Sequence, residues 1–109
     1  YIFTWPSPAM GGKLGACHMI ELPFIFSTLH KPKVDLFFGK GPDAENLSEK
    51  MMDTWVSFAR NGNPNHDGIP EWPSYDIEKR STMMFGKEIK IVEKPFEKER
   101  ATWDDVKFF

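Results

Sequence analysis

Apolar and polar positions alternate at the start of the chain, with Tyr1, Phe3 and Trp5 on one side and Ile2 and Thr4 on the other. That period of two predicts a strand over residues 1–5. Pro6, Ser7 and Pro8, then Gly11, Gly12 and Gly15, end the strand and predict a loop, because proline cannot donate to a ladder and glycine adopts turn conformations freely. Residues 20–26 are strongly apolar but hold Glu21 and Pro23, which predicts a short helical turn or an irregular buried stretch rather than a central strand. Between Asp43 and Asn61 the period becomes helical. Leu47, Met51, Trp55, Phe58 and Ala59 fall on one stripe, and Glu49, Lys50, Asp53, Ser57 and Arg60 on a face expected to be solvated. Asp43 is the expected N-terminal cap, Glu45 and Glu49 suit the positive end of the helix, and Gly62 with Pro64 supplies the stop.

Residues 61–68, Asn-Gly-Asn-Pro-Asn-His-Asp-Gly, are dense in turn formers and predict a loop in which His66 is solvated. Trp72 and Tyr75 then return apolar surface to the core. Residues 81–85 and 89–92 flank Gly86, Lys87 and Glu88, the pattern of a hairpin around a glycine-containing turn. The tail from Glu93 mixes Lys and Glu before Trp103, Val106, Phe108 and Phe109, and reads as a terminal helix or a frayed end. Strand, long helix and hairpin make a mixed α/β set. Two or three strands cannot cover both faces of a helix-bearing sheet, so further structure is expected to complete the domain. The start within an apolar alternation, without Met, carries the same expectation of a fragment.

Composition narrows the function classes. Apolar residues make up 40% of the chain and aromatics 15%, too high for a disordered segment. A net charge of −2 offers no basic field to nucleic acid, which is not expected as a partner. No apolar run reaches the roughly 20 residues of a membrane-spanning helix, and no signal peptide is recognisable, so a soluble chain is expected. One cysteine, Cys17, excludes an internal disulfide.

The candidate chemistry lies in His18, on a glycine-rich loop and followed by Glu21 and large apolar side chains. An imidazole can act as a neutral base near pH 7, provided its loop is anchored well enough to aim the ring. On type and spacing alone a structural histidine is the commoner reading. Cys17 and Glu21 are expected to be structural, since adjacent side chains rarely point at one another and Glu21 shares the same turn. Cys17, His18, Glu21 and His30 match no established zinc spacing, and Gly39, Lys40 and Gly41 are too short for a phosphate-binding loop. No metal or organic cofactor is expected. Met51, Met52, Met83 and Met84 are expected in the core rather than on a binding surface.

The whole string decides how His18 is read. His18 to Phe26, His-x-x-Glu-Leu-Pro-Phe-Ile-Phe, resembles the segment around the catalytic histidine of the type B carboxylesterases, the para-nitrobenzyl esterase and cholinesterase-like α/β-hydrolases. Two later blocks agree in order. Residues 54–64 resemble the family's Trp-x-x-Phe-Ala-x-x-Gly-x-Pro pattern, and Glu71, Trp72, Pro73 and Tyr75 its Trp-Pro-x-Tyr. The bacterial branch is the nearer one, because Leu22 and Pro23 follow the acid, and it would imply a cytoplasmic location.

The resemblance implies that residues 1–109 are the C-terminal portion of an α/β-hydrolase: a sheet strand, the catalytic-histidine loop, a long amphipathic helix and a distal hairpin. It implies a serine esterase in which His18 is the general base of a Ser-Glu/Asp-His triad and small carboxylic esters are the substrate. None of Ser7, Ser27, Ser48, Ser57, Ser74 and Ser81 lies in Gly-x-Ser-x-Gly. The nucleophile elbow and triad acid are therefore expected upstream, on an N-terminal portion of the same esterase that acts as partner. The isolated chain is expected to be inactive and prone to self-association. The alternative is a non-catalytic protein-interaction module with esterase-like ancestry.

Overall fold

A computed structural model describes residues 1–106. Three strands form one sheet in the order β1-β2-β3: β1 is Ile2–Phe3, β2 Thr82–Phe85 and β3 Lys90–Val92. β1 runs parallel to β2, pairing Ile2 with Met84 and Phe3 with Phe85. β2 and β3 form the antiparallel hairpin expected from sequence, with Thr82 opposite Val92 and Met83 opposite Ile91. The first strand is shorter than the alternation predicts. Beyond Phe3 the pairing continues through the Thr4 N–H, which donates to the Phe85 carbonyl at 2.7 Å, and then the Pro6 and Pro8 loop takes over. The alternation itself holds: Phe3 and Trp5 pack on Phe24, with ring centroids 5.2 and 5.7 Å apart, and Tyr1 packs edge-on against Trp55.

The helices are α1 at Leu22–Ile25, α2 at Asp35–Phe38, α3 at Pro42–Asn61 and α4 at Glu97–Ala101. A short 3₁₀ segment, Ala9–Gly12, lies in the first loop. α1 is the helical turn anticipated around Pro23, which sits in its first turn, where a missing N–H costs nothing. α3 begins differently from the expectation that Asp43 caps it. Gly41, at a positive φ of 96° that suits glycine, stands at the cap position with no side-chain hydrogen bond, and Pro42 opens the helix. Asp43 lies inside the first turn, complements the helix dipole and pairs with Lys87 at 3.2 Å. The predicted stop holds. Gly62 is left-handed at φ 75°, and its N–H returns to the Phe58 carbonyl.

The core lies between α1, α3 and the sheet: Phe24, Ile25, Ala44, Leu47, Met51, Met83 and Phe85 are buried together. Of the four methionines expected in the core, Met51 and Met83 are there, whereas Met52 and Met84 are only half-buried. The helical stripe is buried only over its first half. Phe58 is 58% exposed and Ala59 is exposed as well, because the sheet is too small to reach the last turns of a 20-residue helix. Tyr75 is likewise exposed, whereas Trp72 packs on Phe85 with centroids 6.0 Å apart. Ser57, placed on the solvated face by the sequence, is half-buried and donates to the Asn63 and Asn65 carbonyls, folding the 62–72 loop back on α3. Lys50, placed on the same face, is half-buried as well. In the tail, α4 is the anticipated terminal helix; Phe108 and Phe109 lie outside the described residues.

Candidate active-site histidine

The sheet ends shortly before the candidate residue. Three residues after β1 the chain becomes a loop over residues 6–21 that returns to the core at Ile20, which is 1% exposed. His18 sits between these limits in a turn, exposed, and among the described residues neither ring nitrogen is hydrogen-bonded. Met19 follows it in the left-handed region at φ 67°. That conformation costs a non-glycine residue roughly 1–2 kcal/mol and persists only where flanking structure imposes it.

The flanking structure is anchored on both sides. On the early side, the Trp5 indole N–H donates to the Phe38 carbonyl at 2.9 Å, and the Ser7 hydroxyl donates to the Phe37 carbonyl at 2.5 Å. The Ser7 N–H donates to the Gly15 carbonyl at 2.9 Å, closing the loop. On the late side, Phe24 is fully buried and its carbonyl accepts the Ser48 hydroxyl of α3 at 2.8 Å. An exposed histidine is thus carried on a short segment fixed at each end.

The other candidates fall into structural roles. Glu21 leads into α1, its carbonyl accepting the N–H groups of Phe24 and Ile25. Burial, with the Glu21 carboxylate second in effect, holds the Tyr1 phenol above its ordinary range. Cys17 is a half-buried free thiol whose carbonyl accepts the Ile20 N–H. Among the described residues no group of three or more His, Cys, Asp or Glu side chains could hold a metal ion. Three of the serines have fixed tasks: Ser7 and Ser48 tie loop and helix together, and Ser57 holds the 62–72 loop. Among the described residues no serine hydroxyl is bonded to His18.

His66 departs from the expectation of a solvated loop residue. It is half-buried, the Gly68 N–H donates to its Nδ1 at 3.1 Å, and its Nε2 lies 3.1 Å from the Thr54 hydroxyl and 3.2 Å from the Lys50 carbonyl. With Nδ1 accepting, the ring proton belongs on Nε2, directed at α3. Turn-forming neighbours concealed this role, since nothing local signals a bond to a residue sixteen positions earlier. An apolar groove of about 300 Å³ lies beside this loop, lined by Tyr1, Trp55, Phe58, Pro64 and Trp72 and by none of the His18 loop.

A small mixed sheet with a histidine loop leading off its parallel strand, followed by a helix packed on that sheet, is a partial α/β fold of the hydrolase type. The carboxylesterase family model matches residues 1–103, and the chain belongs to that family. It is 37% identical over 93 residues to a phenmedipham hydrolase of Pseudarthrobacter oxydans, covering 81% of this chain and 18% of that protein. It is 44% identical over 82 residues to a human cocaine esterase, covering 71% and 13%. The crystal structure of a Geobacillus stearothermophilus carboxylesterase superposes with a TM-score of 0.77 at 38% identity, over 94% of this chain and 21% of the other. The chain spans about a fifth or less of the length of these proteins.

Proposed function

We propose that this chain supplies the general base of a serine carboxylesterase and that the base is His18. The carrying observation is an exposed imidazole that makes no hydrogen bond among the described residues, on a loop clamped at both ends. Such a ring is open to a partner while its mount is fixed. The similarity to a carboxylesterase and a cocaine esterase supports carboxylic esters as the substrate class. A serine and a triad acid from a preceding portion of the same protein meet His18. His18 takes the serine proton as the oxygen attacks the ester carbonyl, delivers it to the departing alcohol, and repeats the cycle with water to release the acid.

The test is ester hydrolysis by the full-length protein carrying His18→Ala, with an activated phenyl ester and circular dichroism as the check on folding. The expected outcome is a folded protein with turnover reduced by about a thousandfold or more. A folded variant near wild-type turnover would make His18 structural. The 109-residue chain alone is expected to show neither burst nor turnover, because it contains no Gly-x-Ser-x-Gly.

A further inference from the structure

α2 is only four residues long, and the last carbonyls of any helix have no partner within it. Here two successive ones are claimed from a distance. The Phe37 carbonyl accepts the Ser7 hydroxyl and the Phe38 carbonyl accepts the Trp5 indole N–H, across sequence separations of 30 and 33 residues. Ser7 is 1% exposed, and its oxygen also accepts the Ala9 N–H at 3.2 Å, so the hydroxyl is used in both directions. Gly39 completes the joint. A β-carbon there would stand 3.1 Å from the indole nitrogen of Trp5, and its φ of 90° suits glycine.

Resting on the reading of His18 as the base, we infer that Ser7 and Trp5 are positioning residues for it and that the end of α2 is the strut against which the histidine loop is set. The argument is geometric. The Ser7 N–H holds the Gly15 carbonyl, and Gly15 lies three residues before His18, so a shift of Ser7 is transmitted to the base through one backbone hydrogen bond. A transferring base requires placement to a fraction of an ångström, and misplacement by about 1 Å can cost a hundredfold in rate. Ser7 and Trp5 do not touch the reacting atoms. Their loss should lower turnover per functional site while leaving the ester-binding surfaces, and hence KM, in place.

The experiment uses the full-length protein with Ser7→Ala and, separately, Trp5→Phe, which removes the indole N–H and keeps an aromatic ring. Folded protein is quantified by size-exclusion chromatography with circular dichroism so that unfolded molecules drop out, and His18→Ala is measured alongside. The expected result is a fall in kcat per folded molecule of about tenfold or more for each variant, with KM within about twofold. If His18→Ala is inactive but both positioning variants keep wild-type kcat per folded molecule, the inference falls and the assignment of His18 stands. If His18→Ala remains active, the assignment itself falls. Should Ser7→Ala fail to fold, Trp5→Phe decides: reduced kcat at unchanged KM supports the strut, and unchanged kcat overturns it.

Discussion

At the residue scale, several side chains matter for bonds that no neighbouring residue reveals. His66 spans two elements, receiving the Gly68 N–H and reaching Thr54 and the Lys50 carbonyl on α3. Replacing it with Ala removes the acceptor of the Gly68 N–H, while the Thr54 hydroxyl keeps its bond to the Lys50 carbonyl, and His66→Ala should lower stability by about 1 kcal/mol, read as a reduced urea midpoint at unchanged slope. Gly86 was legible as a turn glycine, but the reason for it is tertiary: a β-carbon there would collide with the Thr4 hydroxyl just beyond β1. Met19 is the converse case, a left-handed non-glycine residue next to His18. Met19→Gly should stabilise the fold by up to about 1 kcal/mol if relief of the left-handed strain outweighs the added freedom of the unfolded chain.

At the scale of elements, the hydrophobic period located α3 to within one residue at its start and gave its end correctly. It could not say how far along the helix a partner would extend. Met51, fully buried, should cost about 2–5 kcal/mol as Met51→Ala, whereas Phe58, on the same stripe but exposed, should cost far less. Differential scanning calorimetry of the two variants separates these outcomes. α4 is held by charge: Arg100 forks onto Glu97 and Asp104 at 2.7–3.1 Å. The Arg100 hydrogen bonds hold both carboxyls below their ordinary range. Because those pKa values are depressed in the folded state, the contribution is present above the unfolded carboxylate values and is lost as pH falls through the folded ones. The protection factors of the Arg100 and Trp103 amides, each taken against the intrinsic exchange rate at the same pH, should therefore fall in acid and in high salt, since exposed pairs are screened. Protection factors indifferent to both would mean that the fork contributes nothing.

At the scale of the molecule, a three-stranded sheet and one long helix leave Met10, Met19, Phe26, Leu36, Phe58 and Ile77 exposed. In a carboxylesterase five times longer, much of such surface would meet the remainder of the domain. Kept apart from it, the 109-residue chain should associate through these side chains, and light scattering should show a mass that rises with concentration. A monomer over the whole range would count against both this expectation and the interaction-module alternative. Co-expression with an N-terminal portion carrying Gly-x-Ser-x-Gly should suppress the association and restore ester hydrolysis.

The sequence by itself determined what local chemistry can dictate. The alternation of Tyr1 to Trp5, the helical period of residues 43–61, the glycine stop and the hairpin depend on side-chain spacing and backbone preference, and the ordered blocks from His18 to Tyr75 placed the chain in its family. Only the tertiary structure decided which half of α3 is buried, that His66 is a half-buried link and that Trp5 and Ser7 reach the end of α2. Each of these depends on groups more than ten residues apart meeting in space. A hydrogen bond between distant residues leaves no period in the sequence, because its partners are selected by the fold and not by their neighbours.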